Sequence, residues 1–285
     1  MTWEETIISI RKNEDFKELV EQAYLNDDLE LNVSRFGKSQ EFIETLSIIK
    51  NYAPNASSVI DIGCGNGISA INFALKGYEV TAFEPDSSNT VGAGAIKQLK
   101  ETYSLDTVDV YEAFAEDIKF DSNSFDVVYI RQAMHHANDL DKFIKECVRV
   151  LKPNGLLLTI RDHVIYNQKD KDWFLQTHPL QKYYGGENAY TTHEYKNAIK
   201  NAGAGVVKEL KYFDSIINYF PLNIENLNDL KKQNVSLQRR KLVDKLGRIG
   251  KNWMVWNLYC ILSNYNPLNE ATVPGRMYSY IAIKK

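Results

Sequence analysis

The segment Val59–Gly67, with the sequence VIDIGCGNG, constrains the fold of this chain more than any other. Its first half is an apolar run typical of a buried strand, and its second half places glycines at 63, 65 and 67. Glycine lets a backbone come close to a ligand where a Cβ would collide. The next apolar run ends at Glu84. A strand, a glycine turn, a helix and an acid after the following strand predict a nucleoside site, in which the carboxylate accepts hydrogen bonds from the ribose hydroxyls.

Two nucleoside cofactors compete for this arrangement. A dinucleotide site has the pattern G-x-G-x-x-G, but the last of those positions is Ile68 here, and the glycines follow G-x-G-x-G instead. That spacing does not set up a row of helix-start amides for a pyrophosphate. The segment Asp61–Gly67 resembles motif I of class I S-adenosylmethionine-dependent methyltransferases, which has the form D-x-G-C-G-x-G. The resemblance implies S-adenosylmethionine as the cofactor and S-adenosylhomocysteine as the product.

From 58 to about 160, strand-like and helix-like apolar runs alternate. This alternation predicts an α/β fold with a doubly wound, Rossmann-like sheet and helices on both faces. The resemblance implies the seven strands of a methyltransferase sheet, with the last strand antiparallel beside strands five and six. Lys152–Gly155 predicts a turn before the fifth strand. The predicted strands are Ser58–Ile62, Val80–Phe83, Val108–Ala113, Phe125–Ile130, Leu156–Ile160, Gly205–Leu210 and Tyr278–Ile283.

Helical segments are predicted on both sides of this core. Residues 1–50 carry apolar residues at helical spacing, interrupted by a predicted loop at 31–37, and are interpreted as an N-terminal helical cap. The cofactor-binding core is assigned to 51–212, with its last strand in 273–285. The segment 213–272 is far longer than a usual connection. It is interpreted as a helical insertion that acts as a mobile lid, a structural cap or a membrane contact.

The insertion has a charge pattern of its own. Between Lys231 and Lys251, eight basic residues stand against one acid, which gives this stretch a net charge of +7. Since the whole chain carries −3, the other residues carry −10. Trp253 and Trp256 follow directly. A basic stretch beside tryptophans predicts a grip on the phosphates of a nucleotide-sugar or contact with an anionic membrane. A solvated helix face is the alternative, and the negative remainder argues against a nucleic-acid partner.

The resemblance to the methyltransferases extends over about 58–160. Phe120–Val128 is similar to the family's entry to strand four, and Leu151–Leu156 is similar to its turn before strand five. The family commonly has Asp or Asn for the adenine contact where this chain has Phe114. That contact is therefore expected from Glu116, from Asp117 or from a backbone group. The cofactor-binding residues that the resemblance implies are Asp61, Gly63, Cys64, Gly65, Gly67, Glu84, Pro85, Glu116, Asp117, Ile130 and Arg131.

Three histidines are candidates for the chemical step. Methyl transfer from a sulfonium is an in-line displacement, in which the protein positions the acceptor and manages one proton. A hydroxyl acceptor favours a histidine as general base. His163 follows strand five at the mouth of the predicted site, with Asp162 beside it as a candidate orienting group. His135 and His136 stand where the family commonly has a histidine pair.

The segment His178–Tyr190 is rich in side chains that form hydrogen bonds and suits a polyhydroxylated ligand. Together with 84–86, 91–96 and 161–165, it resembles methyltransferases found with surface-polysaccharide genes. This implies O-methylation of a sugar, a nucleotide-sugar or a glycan-linked hydroxyl. The alternatives are another small acceptor with a reactive ring carbon or amine, and a catalytically idle cofactor-binding module. The candidate acceptor-binding residues are Arg35, Tyr184, Glu187, Asn188 and Tyr190.

Other classes of protein are disfavoured by composition. The sequence has no apolar run of about 18 residues, so no transmembrane helix is expected. The acidic start does not resemble a signal peptide, and a cytoplasmic location is expected. Cys64, Cys147 and Cys260 are too far apart for a metal-binding motif and predict no disulfide framework. No metal is expected from the sequence, and the oligomeric state stays open.

Overall fold

The computed structural model describes residues 2–183 and 185–285, which are built around one mixed sheet. Along the sheet the strands follow the order β3-β2-β1-β4-β5-β8-β7, and β6 pairs with β5 to the side of this path. The strands are β1 (Ser58–Ile62), β2 (Glu79–Phe83), β3 (Val108–Tyr111), β4 (Phe125–Arg131), β5 (Leu151–Ile165), β6 (Tyr190–Thr191), β7 (Ala204–Leu210) and β8 (Met277–Lys284).

The pairing of the strands confirms the predicted fold. β1 pairs in parallel with β2 and with β4, β2 pairs in parallel with β3, and β4 pairs in parallel with β5. β8 runs antiparallel between β5 and β7, as expected for the last strand. Ligands of such sheets bind beyond the carboxyl ends of the parallel strands. The residues that follow β1, β2 and β4, together with the end of β5, therefore meet at one edge.

Helices cover both faces of the sheet, and alternate residues of each central strand point into separate apolar cores. In β4, Val127 and Tyr129 belong to one core, whereas Val128 and Ile130 belong to the other. This period of two is the reason that one strand supports both layers. The helices are α1 (Trp3–Arg11), α2 (Lys17–Gln22), α3 (Leu29–Gly37), α4 (Gln40–Tyr52), α5 (Ile68–Leu75), α6 (Ala93–Thr102), α7 (Leu140–Val150), α8 (Gln168–Thr177), α9 (Thr192–Asn201), α10 (Ile216–Tyr219), α11 (Ile224–Leu246) and α12 (Trp253–Leu262).

The predicted loop at 31–37 is wrong, because these residues form most of α3. The side chain of Asp28 accepts a hydrogen bond from Leu31 N at 2.8 Å and caps the helix. Val33 and Phe36 lie three residues apart on the same side and are buried. The helix is short, and its outer side is polar apart from the exposed Leu31. Packing of its buried side against the core therefore stabilises the helix more than its intrinsic helix propensity does.

The fifth strand is longer than predicted. Leu151 already pairs with Phe125, and the next pair joins Leu156 to Val127, so the predicted turn at 152–155 is a bulge inside β5. β5 then continues to Ile165, five residues beyond the predicted end at Ile160. This extension brings further polar side chains of β5 to the ligand-binding edge.

The insertion between β7 and β8 contains α10, α11 and α12. Few of its apolar side chains are buried: Ile217 and Tyr219 in α10, and Leu227 and Leu242 in α11. α12 contributes no buried residue. Within the described part of the chain, none of the helices has the length and the apolar character that crossing a membrane requires.

Candidate active site

A cavity of about 620 Å³ lies at the edge where the parallel strands end. Its wall includes the glycine turn after β1 and Glu84 after β2. The segment after β4 and the far part of β5 complete the same wall with histidines. Residues of the N-terminal segment, among them Trp3 and Leu25, and residues of the 178–187 loop also contribute to it. None of the described residues that line the cavity belongs to 213–272, so this arrangement does not favour a lid formed by the insertion.

The glycine turn and Glu84 are joined by short hydrogen bonds. Gly63 N donates to Phe83 O at 2.7 Å, which holds the turn against the end of β2. Gly65 N then donates to Glu84 Oε2 at 2.7 Å, and Asp86 N donates to Glu84 Oε1 at 3.0 Å. Gly65 has a φ of +56°, a conformation that side chains other than glycine rarely adopt. The two amides fix the carboxylate at the wall of the cavity, where its remaining lone pairs face a ligand.

Four of the predicted cofactor residues are not among those that line the cavity: Asp61, Gly67, Asp117 and Ile130. Asp61 is fully buried, and Ser69 Oγ donates a hydrogen bond to its Oδ2 at 2.5 Å. Burial raises the pKa of Asp61 to about 7. Direct contact with a cofactor stays a prediction for these residues. The predicted residues that do line the cavity are Gly63, Cys64, Gly65, Glu84, Pro85, Glu116 and Arg131.

The two acidic candidates for the adenine contact lie in different environments. Glu116 lines the cavity, and its Oε1 accepts a hydrogen bond from Asn138 N at 3.0 Å. Asp117 is exposed, forms an ion pair with Lys119 at 2.6 Å and does not line the cavity. Phe114, whose side chain replaces the family's usual polar residue, also lines it. The geometry therefore favours Glu116 over Asp117 for this contact.

A buried carboxylate that the sequence did not reveal holds Arg131, which lines the cavity. Glu41 of α4 is fully buried, and Arg131 Nε donates to its Oε1 at 2.6 Å. Arg161 Nη1 donates to its Oε2 at 2.8 Å. Although burial opposes ionisation, the two guanidinium groups together hold the pKa of Glu41 below its usual value. No short sequence motif signals this contact, since Glu41 lies about 90 and 120 residues from its partners.

Asp162 orients a histidine, but not the one beside it in the sequence. Asp162 Oδ1 lies 3.0 Å from His135 Nδ1 and also accepts a hydrogen bond from His135 N at 3.1 Å. Burial raises the pKa of Asp162 well above its usual value. In its ionised form Asp162 accepts the Nδ1 proton of His135, which leaves the lone pair on Nε2. The pairing of β5 with β8 is irregular between Thr159 and Asp162, and Arg161 has a φ of +61°. This local twist turns Asp162 toward the segment after β4.

Four histidines and one glutamate form a cluster along the cavity wall: His135, His136, His163, His178 and Glu187. The ring of His135 lies 4.8 Å from the ring of His163, and His163 lies 5.7 Å from His178, measured between ring centroids. Glu187 Oε2 is 3.8 Å from His135 Nε2, and Glu187 Oε1 is 3.7 Å from His178 Nδ1. The structure thus brings the three predicted catalytic histidines together and adds His178, which sequence reasoning had left without a role.

The environment of the cluster favours neutral imidazoles. Burial lowers the pKa of His163 to about 3 and the pKa of His135 well below its usual value. Burial also lowers the pKa of His136 and of His178. At neutral pH each ring therefore presents a nitrogen lone pair. A general base works best with a pKa near the working pH, so His163 alone is a weak proton acceptor for a hydroxyl.

Of the five predicted acceptor-binding residues, one lines the cavity, one lies outside the described residues, and three do not line the cavity. Glu187 lines the cavity, whereas Tyr184 lies outside the described residues. Asn188 accepts hydrogen bonds from Lys171 and from its neighbour Ala189, and Tyr190 OH donates to Ala137 O at 3.3 Å. Arg35 donates to Glu21 O and packs over the ring of Tyr24. Asn188, Tyr190 and Arg35 do not line the cavity in this structure, so a role for them in binding the acceptor stays a prediction.

Comparison with known sequences relates part of the chain to methyltransferases. Residues 60–159 match the family model described as a methyltransferase domain. The chain is 33% identical over 112 residues to the Bacillus subtilis (strain 168) protein named Uncharacterized methyltransferase YcgJ, covering 37% of this chain and 40% of that protein. It is 28% identical over 145 residues to the ubiquinone biosynthesis O-methyltransferase of Rickettsia prowazekii (strain Madrid E), covering 50% and 52%. The chain thus spans about half of the length of these curated relatives.

Comparison with solved structures extends the likeness to nearly the whole chain. The geranyl diphosphate C-methyltransferase of Streptomyces coelicolor A3(2) superposes with a TM-score of 0.57 at 16% identity, covering 90% of this chain and 83% of that one. At this identity the likeness concerns the fold. The match to the methyltransferase domain, at residues 60–159, includes the glycine turn, Glu84 and the histidine pair.

Proposed function

We propose that this chain, whose residues 60–159 form a methyltransferase domain, transfers a methyl group from S-adenosylmethionine to a hydroxyl group of a small acceptor. The observation that carries the proposal is the shared wall of one cavity. Glu84 and the glycine turn stand at the ends of β1 and β2, and the histidine cluster stands at the ends of β4 and β5. These strands are neighbours in the sheet, so the nucleoside and the acceptor lie side by side.

The cofactor side of the cavity is expected to hold the nucleoside through few polar contacts. Glu84 accepts hydrogen bonds from the ribose hydroxyls, as the sequence predicted. Glu116 and the exposed ring of Phe114 are the side chains closest in sequence to the expected adenine contact, and both line the cavity. Arg131 also lines it, although Glu41 already binds its guanidinium group. The positively charged sulfonium itself supplies the electrophile, so no protein nucleophile is required.

The acceptor side suits a hydroxyl. During transfer the acceptor oxygen attacks the methyl carbon, the C–S bond breaks with its electron pair on sulfur, and the hydroxyl proton leaves. Neutral imidazoles of His135 and His163 and the carboxylate of Glu187 line this side and offer acceptors for that proton or for a hydrogen bond from it. A pocket with so many polar groups favours a polyhydroxylated acceptor, such as a sugar or nucleotide-sugar, over a wholly apolar one.

A phenolic acceptor is the second candidate, because the Rickettsia relative is named as an O-methyltransferase of ubiquinone biosynthesis. A ring-carbon or amine acceptor and a catalytically idle module are the remaining alternatives. Transfer of a labelled methyl group to a panel of nucleotide-sugars, lipid-linked sugars, phenols and amines tests all of them. Labelling of a hydroxyl compound supports the proposal, and labelling of carbon or nitrogen replaces its acceptor class. Cofactor binding without any transfer across the panel would leave only the idle module.

The pKa of Glu84 gives the binding of the nucleoside a pH dependence. Burial raises this pKa to about 7, although hydrogen bonds from Asp86 N and Gly65 N oppose the shift. A proton and the ribose hydroxyls compete for the same carboxylate oxygens. We therefore expect the affinity for adenosine to be nearly constant above about pH 8 and to fall about tenfold from pH 8 to pH 6. Titration calorimetry measures this dependence, and Glu84→Gln should abolish it. A flat profile in the wild-type protein would contradict the role of Glu84.

The surface of the insertion favours contact with a membrane over a lid. Trp253, Met254, Leu258, Ile261 and Leu262 of α12 are each more than half exposed. All eight basic residues between 231 and 251 are exposed as well, beside this apolar surface. An apolar helix face next to clustered basic residues is typical of segments that lie on anionic membranes. We infer that α12 inserts into the lipid headgroup region while the basic residues of α11 contact anionic lipids.

Reversing charge on α11 tests the membrane contact. Each basic residue near an anionic surface contributes about 1 kcal/mol, so the variant with Arg240→Glu and Lys241→Glu should lose at least ~30-fold in partitioning onto phosphatidylserine vesicles. Lys50→Glu with Lys76→Glu, which reverses two exposed charges elsewhere, is the matched control. Vesicle cosedimentation measures both. If the α11 variant binds like the control while cofactor plus acceptor slows amide exchange across 213–272, the insertion is a lid.

A further inference from the structure

Three side chains of the histidine cluster bring potential metal-binding atoms close together. One potential ligand atom from each of His135, His163 and Glu187 lies within 4.8 Å of the other two. Each of the three side chains lines the cavity. His135 is buried, and the other two are partly buried, which reduces the competition from bulk water that weakens surface clusters. They come from the segment after β4, from β5 and from the 178–187 loop, so the fold and not the local sequence assembles them.

We propose that His135, His163 and Glu187 bind one divalent transition-metal ion at the acceptor side of the cavity. Two imidazoles and one carboxylate match the ligand preference of zinc and related first-row ions. In a tetrahedral site with bonds of roughly 2.1 Å, ligand atoms lie about 3.4 Å apart. His135 Nε2 and Glu187 Oε2 are already 3.8 Å apart. Small side-chain rotations bring such a set into bonding range.

The hydrogen bonds around the two histidines prepare them as ligands. Asp162 Oδ1 holds the Nδ1 proton of His135, and Gly275 O accepts the Nδ1 proton of His163 at 2.7 Å. Both Nε2 atoms therefore carry the lone pairs. Metal-binding histidines commonly donate their other ring N–H to a carboxylate or a backbone carbonyl in this way. Asp162 is thus a positioning residue for the ion.

A buried nitrogen without a hydrogen-bond partner, His178 Nδ1, lies beside the same three residues. His178 Nδ1 makes no hydrogen bond, although it is buried and lies 3.7 Å from Glu187 Oε1. A buried polar atom of this kind requires a partner, and a bound ion or its water ligand supplies one. With three protein ligands, the ion keeps coordination positions open toward the cavity, as catalytic sites do.

The role of the ion in the reaction rests on the proposed function. Bound through an open position, the acceptor hydroxyl would have its pKa lowered by the charge of the ion. Its proton would leave to solvent, and its oxygen would attack the methyl carbon while the C–S electron pair stays on sulfur. The ion and the three side chains are unchanged at the end of the step. This role suits hydroxyl acceptors.

Metal binding is measurable without cofactor or acceptor. We expect the full chain, after treatment with a chelator, to bind Zn²⁺ with 1:1 stoichiometry in titration calorimetry and to bind Mg²⁺ at least ~100-fold more weakly, because imidazole is a poor ligand for Mg²⁺. His163→Gln and Glu187→Gln should each weaken Zn²⁺ binding by more than ~100-fold. Asp162→Asn should weaken it ~10–100-fold, as loss of a supporting contact does. The exposed His193 on α9 provides the matched control, and His193→Gln should bind Zn²⁺ like the wild type.

Co²⁺ substitution gives a second readout, because its visible absorption reports imidazole and carboxylate coordination directly. Circular dichroism and thermal unfolding establish that each variant is folded, and Glu187→Gln is the variant least expected to disturb the core, since it keeps the shape of the side chain. Zn²⁺ binding that survives both ligand substitutions, or that is absent in the wild type, would overturn the proposal. Zn²⁺ binding in a protein that transfers no methyl group would preserve the site and refute only the proposed function.

Discussion

Replacing Glu84 with alanine should weaken S-adenosylmethionine binding by roughly 10²–10⁴-fold. The carboxylate is expected to accept hydrogen bonds from both ribose hydroxyls, and each charge-assisted bond contributes about 1.5–3 kcal/mol. The loss is largest at a pH above the raised pKa of about 7, where Glu84 is ionised. Titration calorimetry with S-adenosylmethionine and S-adenosylhomocysteine measures it directly. NAD should bind to neither protein, since the glycine pattern lacks the third dinucleotide glycine.

Two further variants make the test of Glu84 specific. Glu84→Gln keeps the shape of the side chain and an acceptor oxygen for one of the two amides, Gly65 N or Asp86 N, so it removes the charge with less disturbance of the turn than alanine causes. We expect it to bind more weakly than the wild type and more tightly than Glu84→Ala. Glu112 follows the neighbouring strand β3, is exposed and does not line the cavity. Glu112→Ala is therefore the matched control and should bind the cofactor normally. Unchanged affinity in Glu84→Ala would remove Glu84 from the nucleoside site.

Replacing His163 with alanine should lower kcat by roughly 10²–10⁴-fold, the range expected when a group that manages the acceptor proton is removed. Cofactor affinity should hold, because His163 lies on β5, two strands away from the glycine turn of β1. Transfer of a labelled methyl group to the best acceptor measures the rate, and calorimetry measures the affinity. His193→Ala, on the outer side of α9, is the matched control and should keep the wild-type rate.

The outcome of the His163 experiment also distinguishes two accounts of the acceptor site. A rate close to that of the wild type would move the proton-handling role to His135 or His136, or would show that positioning alone suffices. A large loss that Zn²⁺ does not restore is expected if His163 is a metal ligand or a base. The pH dependence of kcat then distinguishes the two roles. A base with a pKa of about 3 cannot produce a rate that rises through neutral pH. Activation of the acceptor by a metal ion can produce one.

The candidate cofactor half of the site could be predicted from the sequence because its parts are close along the chain. The glycine turn, the helix that follows it and Glu84 span only 63–84. Backbone conformation and the period of apolar residues are local properties, so a strand, a turn at positive φ and a second strand leave a direct signature. The same reasoning placed the last strand antiparallel at the side of β5, where the structure has β8. It failed for α3, whose helical face has only a few apolar residues and depends on packing.

The acceptor half depended on contacts between distant parts of the chain. The sequence suggested Asp162 as an orienting group beside His163. In the structure, the irregular register of β5 against β8 turns Asp162 toward His135 instead. Glu41 was not expected in the site at all, and it orders Arg131 and Arg161 from a helix near the N-terminus.

The sequence by itself determined the fold class, and it predicted the glycine turn and Glu84 as parts of the nucleoside site. Only the tertiary structure decided which side chains share the acceptor wall, namely His135, His163, His178 and Glu187. It also placed residues of the N-terminal segment, and none from the described insertion, along the cavity. The physical reason is the range of the interactions. Turn geometry and strand periodicity act between neighbouring residues, whereas burial, ion pairs and shared ligands act between residues that meet only after the chain has folded.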